Sequence, residues 1–368
     1  DQLSRLRNTR ACVYHALSTQ GRGRMPYLSQ IETPTDSHVY QYPTAEWVAE
    51  EQMAIQWGAK ELGVENDEND FRTRLNQGEK YAVQYLQSLL TKFETFIGGE
   101  DLWAYRIPKL FPRPEIQRAA SVISCIENDS HAPFYMLANQ VLNLDTDEFY
   151  AQWRNDPIIS NAINYITKVL EDTDALVVTG LLAGLEGVKL FTNLGFFKCF
   201  NTRGFNLIPH FVSGIDGSTK DENFHSMFSS YLFRQCKSER EQLNNHAEPQ
   251  EIVLSAKITE IFESLVQFEK NTANHIFDYS DSLPEDQRIR VCTRKELHDF
   301  TEDRANFVLG NLGYEPMFER EKGEITNFLY ANLSRYKHSD FFATQQLQYR
   351  RNVNVSKLAF NPNALELL

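Results

Sequence analysis

One short stretch constrains this chain more than any other, the sequence Lys-Asp-Glu-Asn-Phe-His at residues 220–225. Within it, Glu222 and His225 stand three residues apart. On an α-helix that spacing puts both side chains on one face. A carboxylate and an imidazole that converge on one point are common ligands of a divalent metal ion. A single pair is weak evidence, because such pairs also arise by chance, so the rest of the chain decides its weight.

Other parts of the chain offer more side chains of the same kinds. Glu127 and His131 form a second carboxylate–imidazole pair, while Glu94 and Glu186 lie within apolar helical patterns. A buried carboxylate must be paired, protonated or bound to a metal, because burying its charge is costly. Lys189, three residues after Glu186, could pair with it, but the glutamates have no matching set of inward-facing Lys or Arg.

Together these side chains form the ligand set of a ferritin-like dinuclear site, in which carboxylates and imidazoles project inward from several helices. Two metal ions would neutralise the buried carboxylates. Because the set contains no thiolate, it suits iron or manganese better than zinc or copper. The predicted ligands are Glu94, Glu127, His131, Glu186, Glu222 and His225. This chemistry alone predicts a protein that activates oxygen, or stores an oxidising equivalent.

Composition excludes several other classes of protein. A net charge of −13 argues against binding to nucleic acid, which needs a basic surface. The five cysteines are scattered without a CxxC pair, which argues against disulfides and a zinc ribbon and favours a reducing compartment. We see no secretory signal, and the longest apolar run, residues 175–185, is too short to span a bilayer. We therefore expect a cytoplasmic protein with no membrane partner.

The apolar residues follow helical rather than strand periodicity, which predicts an all-α, ferritin-like bundle. The nearly all-apolar segment at 175–200 belongs at its centre. We expect an N-terminal arm at 1–43, one domain at 44–349 and a C-terminal tail at 350–368. The other helical patterns cover residues 44–62, 78–97 (ended by Gly98-Gly99), 115–142, 145–170 (broken near Asp156-Pro157), 219–233, 250–278 and 294–312.

In order and spacing, these motifs resemble the small, radical-generating subunit of class I ribonucleotide reductase, from about Thr44 to Tyr349. Lys220 to His225 resembles that family's Arg-Asp-Glu-x-x-His, with Lys in place of Arg. Each motif alone is modest, but their order is specific. The other motifs that carry the resemblance are Trp57 with Glu61, Glu79-Lys80 before Glu94, Pro114-Glu115 before Glu127, Leu185-Glu186-Gly187, and Asp340-Phe341-Phe342 with Tyr349.

The resemblance implies a function and partners. A metal pair (Fe/Fe, Mn/Mn or Mn/Fe) would react with oxygen or a reduced derivative, then generate a tyrosyl radical or retain the oxidising equivalent. That equivalent would pass to a large subunit that reduces ribonucleotides to deoxyribonucleotides. Trp57, Asp221 and a ligand histidine would form the inner relay, and Tyr349 would continue it. A homodimer is implied, with residues 350–368 binding the large subunit.

Each relay residue also has a structural interpretation. Trp57 could be a core aromatic side chain. Asp221 could orient a ligand histidine, which is a common role for a carboxylate beside a metal site. Tyr349 could simply anchor the tail. For the chain as a whole, the alternatives are a ferritin-like metal oxidase or iron-binding protein without a reductase partner, and a helical scaffold with an inactive metal site.

One departure from the family pattern concerns the radical carrier. The family has Glu-x-x-His followed by a tyrosine four residues later, whereas Glu127 and His131 are separated by one residue more. Counting from Glu127 makes Phe134 the radical position, and counting from His131 makes it Tyr135. A local helical bulge could absorb the extra residue. We favour Tyr135, because a phenol is far easier to oxidise than a phenyl ring. If Phe134 took the position, the metals would store the equivalent.

Overall fold

The computed structural model describes residues 28–243 and 246–329, except for the Glu100 side chain. All regular secondary structure in this part of the chain is helical, with no strand. This confirms the all-α fold class. The predictions for Tyr349, for Asp340-Phe341-Phe342, for residues 350–368 and for the first 27 residues of the arm lie outside the described residues.

Most helices lie in the predicted ranges, but the helix predicted at 219–233 runs from Pro209 to Gln242, and the one predicted at 44–62 ends at Ile55. Short 3₁₀ or π turns join several of them, and a last helical stretch covers residues 324–329. The α-helices are α1 (Pro43–Ile55), α2 (Gln77–Glu94), α3 (Ile107–Leu110), α4 (Pro114–Ile126), α5 (Ala132–Val141), α6 (Asp147–Ala151), α7 (Pro157–Val169), α8 (Ala175–Gly184), α9 (Phe191–Lys198), α10 (Pro209–Gln242), α11 (Glu248–Asp281) and α12 (Arg294–Leu312).

Local side-chain chemistry fixes where α2 and α12 begin. Asn76 accepts a hydrogen bond from the Glu79 amide, and the Glu79 carboxylate accepts one from the Asn76 amide. Thr293 and Glu296 make the same reciprocal pair at the start of α12. Such boxes satisfy amides that have no partner within the helix. Their sequence signature explains why the bounds of α12 agree with the predicted range 294–312.

Three π turns interrupt the helices that carry the predicted ligands. They cover Thr95–Glu100, Glu127–His131 and Leu185–Lys189. The expectation that Gly98-Gly99 ends the helix after residue 97 is therefore wrong, since the helical path continues through Glu100. A Cβ at Gly98 would lie 2.1 Å from the Glu127 Cβ. The glycine thus lets two ligand helices approach closely rather than stopping one of them.

Helices α8 and α9 lie at the centre of the bundle, as predicted. The stretch Ala175–Asn201 is long and apolar enough to span a membrane, but its most apolar 18 residues are entirely buried inside the protein. Helices α10, α11 and α12 pack around it. A helix that is apolar on all sides is stable in water only when other elements cover it. The stretch is therefore the core of the fold, and it carries Glu186 into the centre.

Candidate metal centre

The six predicted ligands lie together in the middle of the bundle, and each side chain is at most 1% exposed. Their donor atoms form two groups, within each of which all atoms lie within 4.8 Å of one another. Glu127 and Glu222 belong to both groups. Glu94 and His131 complete the first group, and Glu186 and His225 complete the second. The arrangement suits two ions that share two carboxylates.

Both imidazoles turn their Nδ1 atoms toward the carboxylates. The Nδ1 of His131 lies 3.0 Å from Glu127 Oε2, 3.0 Å from Glu222 Oε1 and 3.3 Å from Glu94 Oε2. The Nδ1 of His225 lies 2.8 Å from Glu127 Oε1 and 3.6 Å from Glu222 Oε2. Glu127 is therefore in contact with both imidazoles, one through each oxygen.

Several of these buried donor atoms have no hydrogen bond. Within the described part of the chain, neither oxygen of Glu222, neither nitrogen of His225, nor Oε2 of Glu186 has a hydrogen-bond partner, because the short contacts given above lack hydrogen-bond geometry. Buried polar groups are almost always paired, and each exception needs a physical explanation. Carboxylate and imidazole atoms that face one another without hydrogen bonds fit iron or manganese, which prefers such donors. The residues present therefore fit a dinuclear metal site.

The cluster's electrostatics also favour a bound cation. Burial, and next the charges of Glu127 and Glu222, raise the pKa of Glu94 well above its usual value. Burial, and next the charge of Glu222, also raise the pKa of Glu186 well above its usual value. Burial opposes ionisation of Glu127 too, but His131 and His225 outweigh it and hold its pKa well below the usual range. Ionised carboxylates this close repel one another, and a bound cation would offset that repulsion.

The extra residue between Glu127 and His131 is absorbed in a π turn. The Ala132 amide donates to the Glu127 carbonyl, five residues back, and regular α-helix resumes at Ala132. The distortion therefore lies between the two ligands rather than after His131 near Pro133. This is the first of the two registers considered from the sequence, the one in which Tyr135 follows a ligand by one helical turn.

Phe134 and Tyr135 have different surroundings. The Phe134 ring packs against Trp57 and Phe211, with centroids 5.7 and 5.1 Å away. Tyr135 is fully buried, and its hydroxyl has no hydrogen bond within the described residues. Burial and then the Glu94 charge raise the pKa of Tyr135 well above its usual value. Tyr135 is therefore close enough to the cluster for the charge of Glu94 to affect its hydroxyl.

Trp57, Asp221 and His131 form a continuous chain of hydrogen bonds. Trp57 Nε1 donates to Asp221 Oδ2 at 2.9 Å, and the same oxygen lies 3.1 Å from His131 Nε2. Gln52 Nε2 donates to the other Asp221 oxygen at 3.0 Å. These contacts are compatible with both interpretations of Asp221, as a carboxylate that orients His131 and as a member of the relay. The tryptophan is 8% exposed, at the edge of the core.

Sequence reasoning missed Gln52 and Trp103. The Trp103 indole donates to Glu186 Oε1 and is fully buried. Neither residue carries a pattern that could have identified it, because its partner is distant in sequence. Lys189, considered as a partner for Glu186, instead forms an ion pair with Glu269 on α11.

Comparison with known proteins identifies the family of the chain. Residues 36–325 match the family described as ribonucleotide reductase, small chain. A relative from Invertebrate iridescent virus 3, a probable ribonucleoside-diphosphate reductase small subunit, is 22% identical over 348 residues, or 89% of this chain and 87% of the relative.

Solved structures show the same fold. The dimanganese(II)-NrdF of Streptococcus sanguinis is 19% identical, with a TM-score of 0.67 over 81% of this chain and 99% of its own. The Rnr4 homodimer of Saccharomyces cerevisiae is 18% identical, with a TM-score of 0.61 over 84% of this chain and 93% of its own. Because the family match spans most of this chain, the chain belongs to the ribonucleotide reductase small-chain family and is a small subunit of ribonucleoside-diphosphate reductase, an oxidoreductase.

Proposed function

We propose that this small subunit binds an iron or manganese pair through Glu94, Glu127, His131, Glu186, Glu222 and His225, and that Tyr135 carries a radical generated there. The observation that supports this most strongly is the pair of donor groups that share Glu127 and Glu222. The donor set suits Fe/Fe, Mn/Mn or Mn/Fe. A bound metal pair of this kind would supply the oxidising power for one-electron chemistry once it has reacted with oxygen or a reduced derivative of oxygen.

In this proposal Tyr135 becomes a neutral radical: it would give its electron to the oxidised metal pair and its phenolic proton to the buried carboxylate cluster around Glu94. Its surroundings support the role in two ways. Complete burial keeps water from a reactive ring, and the free hydroxyl is not tied to a fixed acceptor within the described residues. Glu94 is the carboxylate whose charge acts most strongly on it. Phe134 has no ionisable group and packs among aromatic rings instead.

We propose that Trp57, Asp221 and His131 carry the oxidising equivalent between the metal centre and the protein surface. The shared Asp221 oxygen supports this, because it joins the indole N–H to a ligand imidazole through two hydrogen bonds. As an electron leaves the indole, its N–H becomes more acidic, and the carboxylate is placed to hold that proton. The same contacts favour a reductase subunit over a ferritin-like oxidase or iron-binding protein, which needs no such relay.

We expect Trp57→Phe to separate radical formation from radical use. The phenyl ring cannot donate to Asp221 and is much harder to oxidise, so turnover with the large subunit should fall to background. Metal content and the radical signal should stay near those of the parent chain, because Trp57 is not a ligand. Electron paramagnetic resonance and a ribonucleotide reduction assay measure the two quantities. Normal turnover in this variant would rule out Trp57 as a relay residue.

The partner in this proposal is a large reductase subunit, bound by a homodimer of this chain through residues 350–368. The sequence of that segment supports the assignment, since it ends in apolar Ala364-Leu365-Glu366-Leu367-Leu368. A short apolar segment can bind by filling a groove on a partner. Tyr349, just before it, would continue the relay. We propose a cytoplasmic location, which the reducing environment suggested by the scattered cysteines supports.

Deleting residues 364–368 should abolish turnover with the large subunit and leave melting temperature and metal content unchanged. The reason is that, in this proposal, these residues bind the partner. Analytical ultracentrifugation with the large subunit would measure the loss of the complex directly. A control that replaces Glu366 with Gln keeps the leucines and should still bind. Full activity of the shortened chain would refute this assignment.

A further inference from the structure

The π turn Leu185–Lys189 carries Glu186, and side chains from neighbouring helices hold its backbone on both sides. Arg304 Nε, from α12, donates to the Gly187 carbonyl at 2.9 Å. Ser226 Oγ, from α10, donates to the Ala183 carbonyl at 2.9 Å. A π turn changes the hydrogen-bonding pattern of a helix, and donors from outside stabilise the altered path. The backbone next to Glu186 is thus tied to two other helices.

Arg304 is itself held in place. Its side chain is fully buried, and its guanidinium lies 3.7 Å from the centroid of the Phe191 ring and 4.7 Å from that of Phe307. Stacking of a desolvated guanidinium on aromatic faces is favourable and orients its fork of donors. The Nε–H therefore points at the Gly187 carbonyl from a fixed position.

A buried ion pair holds the other end of the same turn. Lys189 is the last residue of the π turn, and its ammonium contacts Glu269 Oε1 on α11. Asn193 donates to Glu269 Oε2 at 3.3 Å and to the Lys189 carbonyl at 3.1 Å. The Lys189 ammonium also lies 4.6 Å from the centroid of Phe93, the neighbour of the predicted ligand Glu94.

At Gly187, the turn packs too closely against its neighbours to admit a side chain. A Cβ on Gly187 would lie 2.4 Å from Ser226 Oγ and 2.4 Å from a methyl carbon of Val308. A buried ion pair adds little stability over apolar side chains of similar size, but it fixes the position of both partners when both are hydrogen-bonded. The contacts around the turn therefore account better for a defined position of Glu186 than for overall stability.

We propose that Arg304 and the Lys189–Glu269 pair are positioning residues that hold the π turn so that Glu186 can bind the metal ion on the His225 side. The inference rests on the proposed function, because it requires two metal ions. The ion on the His131 side uses Glu94 instead of Glu186, and the two donor groups otherwise share their glutamates. Loss of the positioning residues should therefore weaken one ion much more than the other.

The test uses the full chain and manganese(II) alone, under anaerobic conditions. Equilibrium dialysis gives the affinities of the two ions, and electron paramagnetic resonance distinguishes a coupled manganese pair from isolated ions. In Arg304→Met, the ion on the His225 side (the second ion) should bind about 10- to 100-fold more weakly. The affinity for the ion on the His131 side should stay within about twofold of that of the parent. The coupled signal should give way to that of isolated ions, with the melting temperature of the metal-free protein close to that of the parent.

A second variant covers the case in which Arg304→Met does not fold. The double variant Lys189→Met/Glu269→Met removes both buried charges and keeps the volume, so it should fold, and it should lose the second ion in the same way. The matched control is Lys198→Met/Asp216→Met, which removes a similar pair nine residues further along the helical stretch. That control should keep both ions and the coupled signal.

The outcomes separate this inference from the proposed function. If the parent chain binds fewer than two ions, the proposed function fails and the inference fails with it. If the parent binds a coupled pair and the double variant binds an equally tight coupled pair, the inference alone is overturned. A double variant that weakens both ions equally would also overturn it, because the effect would then not act through Glu186.

Discussion

Replacing Glu222 with Ala should remove most metal binding from a chain that otherwise binds about two ions. Glu222 belongs to both donor groups, and neither of its oxygens has a hydrogen-bond partner in the described part of the chain. Its removal thus takes a carboxylate from both ions and leaves little else unsatisfied. Metal analysis after removal of loosely bound ions measures the effect, in protein loaded with either iron or manganese.

A matched control for this experiment is Glu115→Ala. Glu115 is also a fully buried glutamate, but it accepts hydrogen bonds from the amides of Gln41 and Tyr42 and lies outside both donor groups. Its loss should lower the melting temperature and leave metal content unchanged. Unchanged metal content in Glu222→Ala, with normal binding in the parent, would disprove the ligand assignment.

In Tyr135→Phe, the tyrosyl signal and turnover with the large subunit should both disappear. The substitution removes only the hydroxyl, which has no hydrogen bond in the described residues, so folding and metal binding should be retained. Phenylalanine cannot give up a phenolic proton and is far harder to oxidise. The measurement is electron paramagnetic resonance of the metal-loaded protein after exposure to oxygen or a reduced oxygen species.

Tyr42→Phe provides the comparison. Tyr42 is also buried, but its hydroxyl donates to Glu239 at 2.8 Å, away from the metal ligands. That variant should keep the signal. An active parent chain without any tyrosyl signal, or a Tyr135→Phe variant with full activity, would exclude Tyr135 and assign the oxidising equivalent to the metals.

The sequence was sufficient to predict the six side chains that the fold brings together, because each combines a metal-type side chain with an apolar helical face. Glu127 and His131 illustrate this, since a spacing of three or four residues keeps two side chains on one face. The bounds of α12 were also predictable, because Thr293 and Glu296 carry a local capping signature. These features depend on neighbours in sequence, and for that reason they can be read without the fold.

The features that sequence reasoning missed depend on contacts between distant elements. Gly98 carries a stop signal in isolation, but in the fold it provides room for Glu127, and the helical path continues. The hydrogen bond from Trp103 to Glu186 and the ion pair between Lys189 and Glu269 join segments about 80 residues apart. No local pattern in the sequence specifies such partners.

The central claim is that two metal ions occupy the two donor groups, and anomalous X-ray diffraction from crystals of metal-loaded protein tests it most directly. Data at the iron and manganese absorption edges should show two peaks about 3.5–4 Å apart. Glu127 and Glu222 should lie between them, with His131 beside one peak and His225 beside the other. A single peak, or peaks away from these residues in fully loaded protein, would contradict the account.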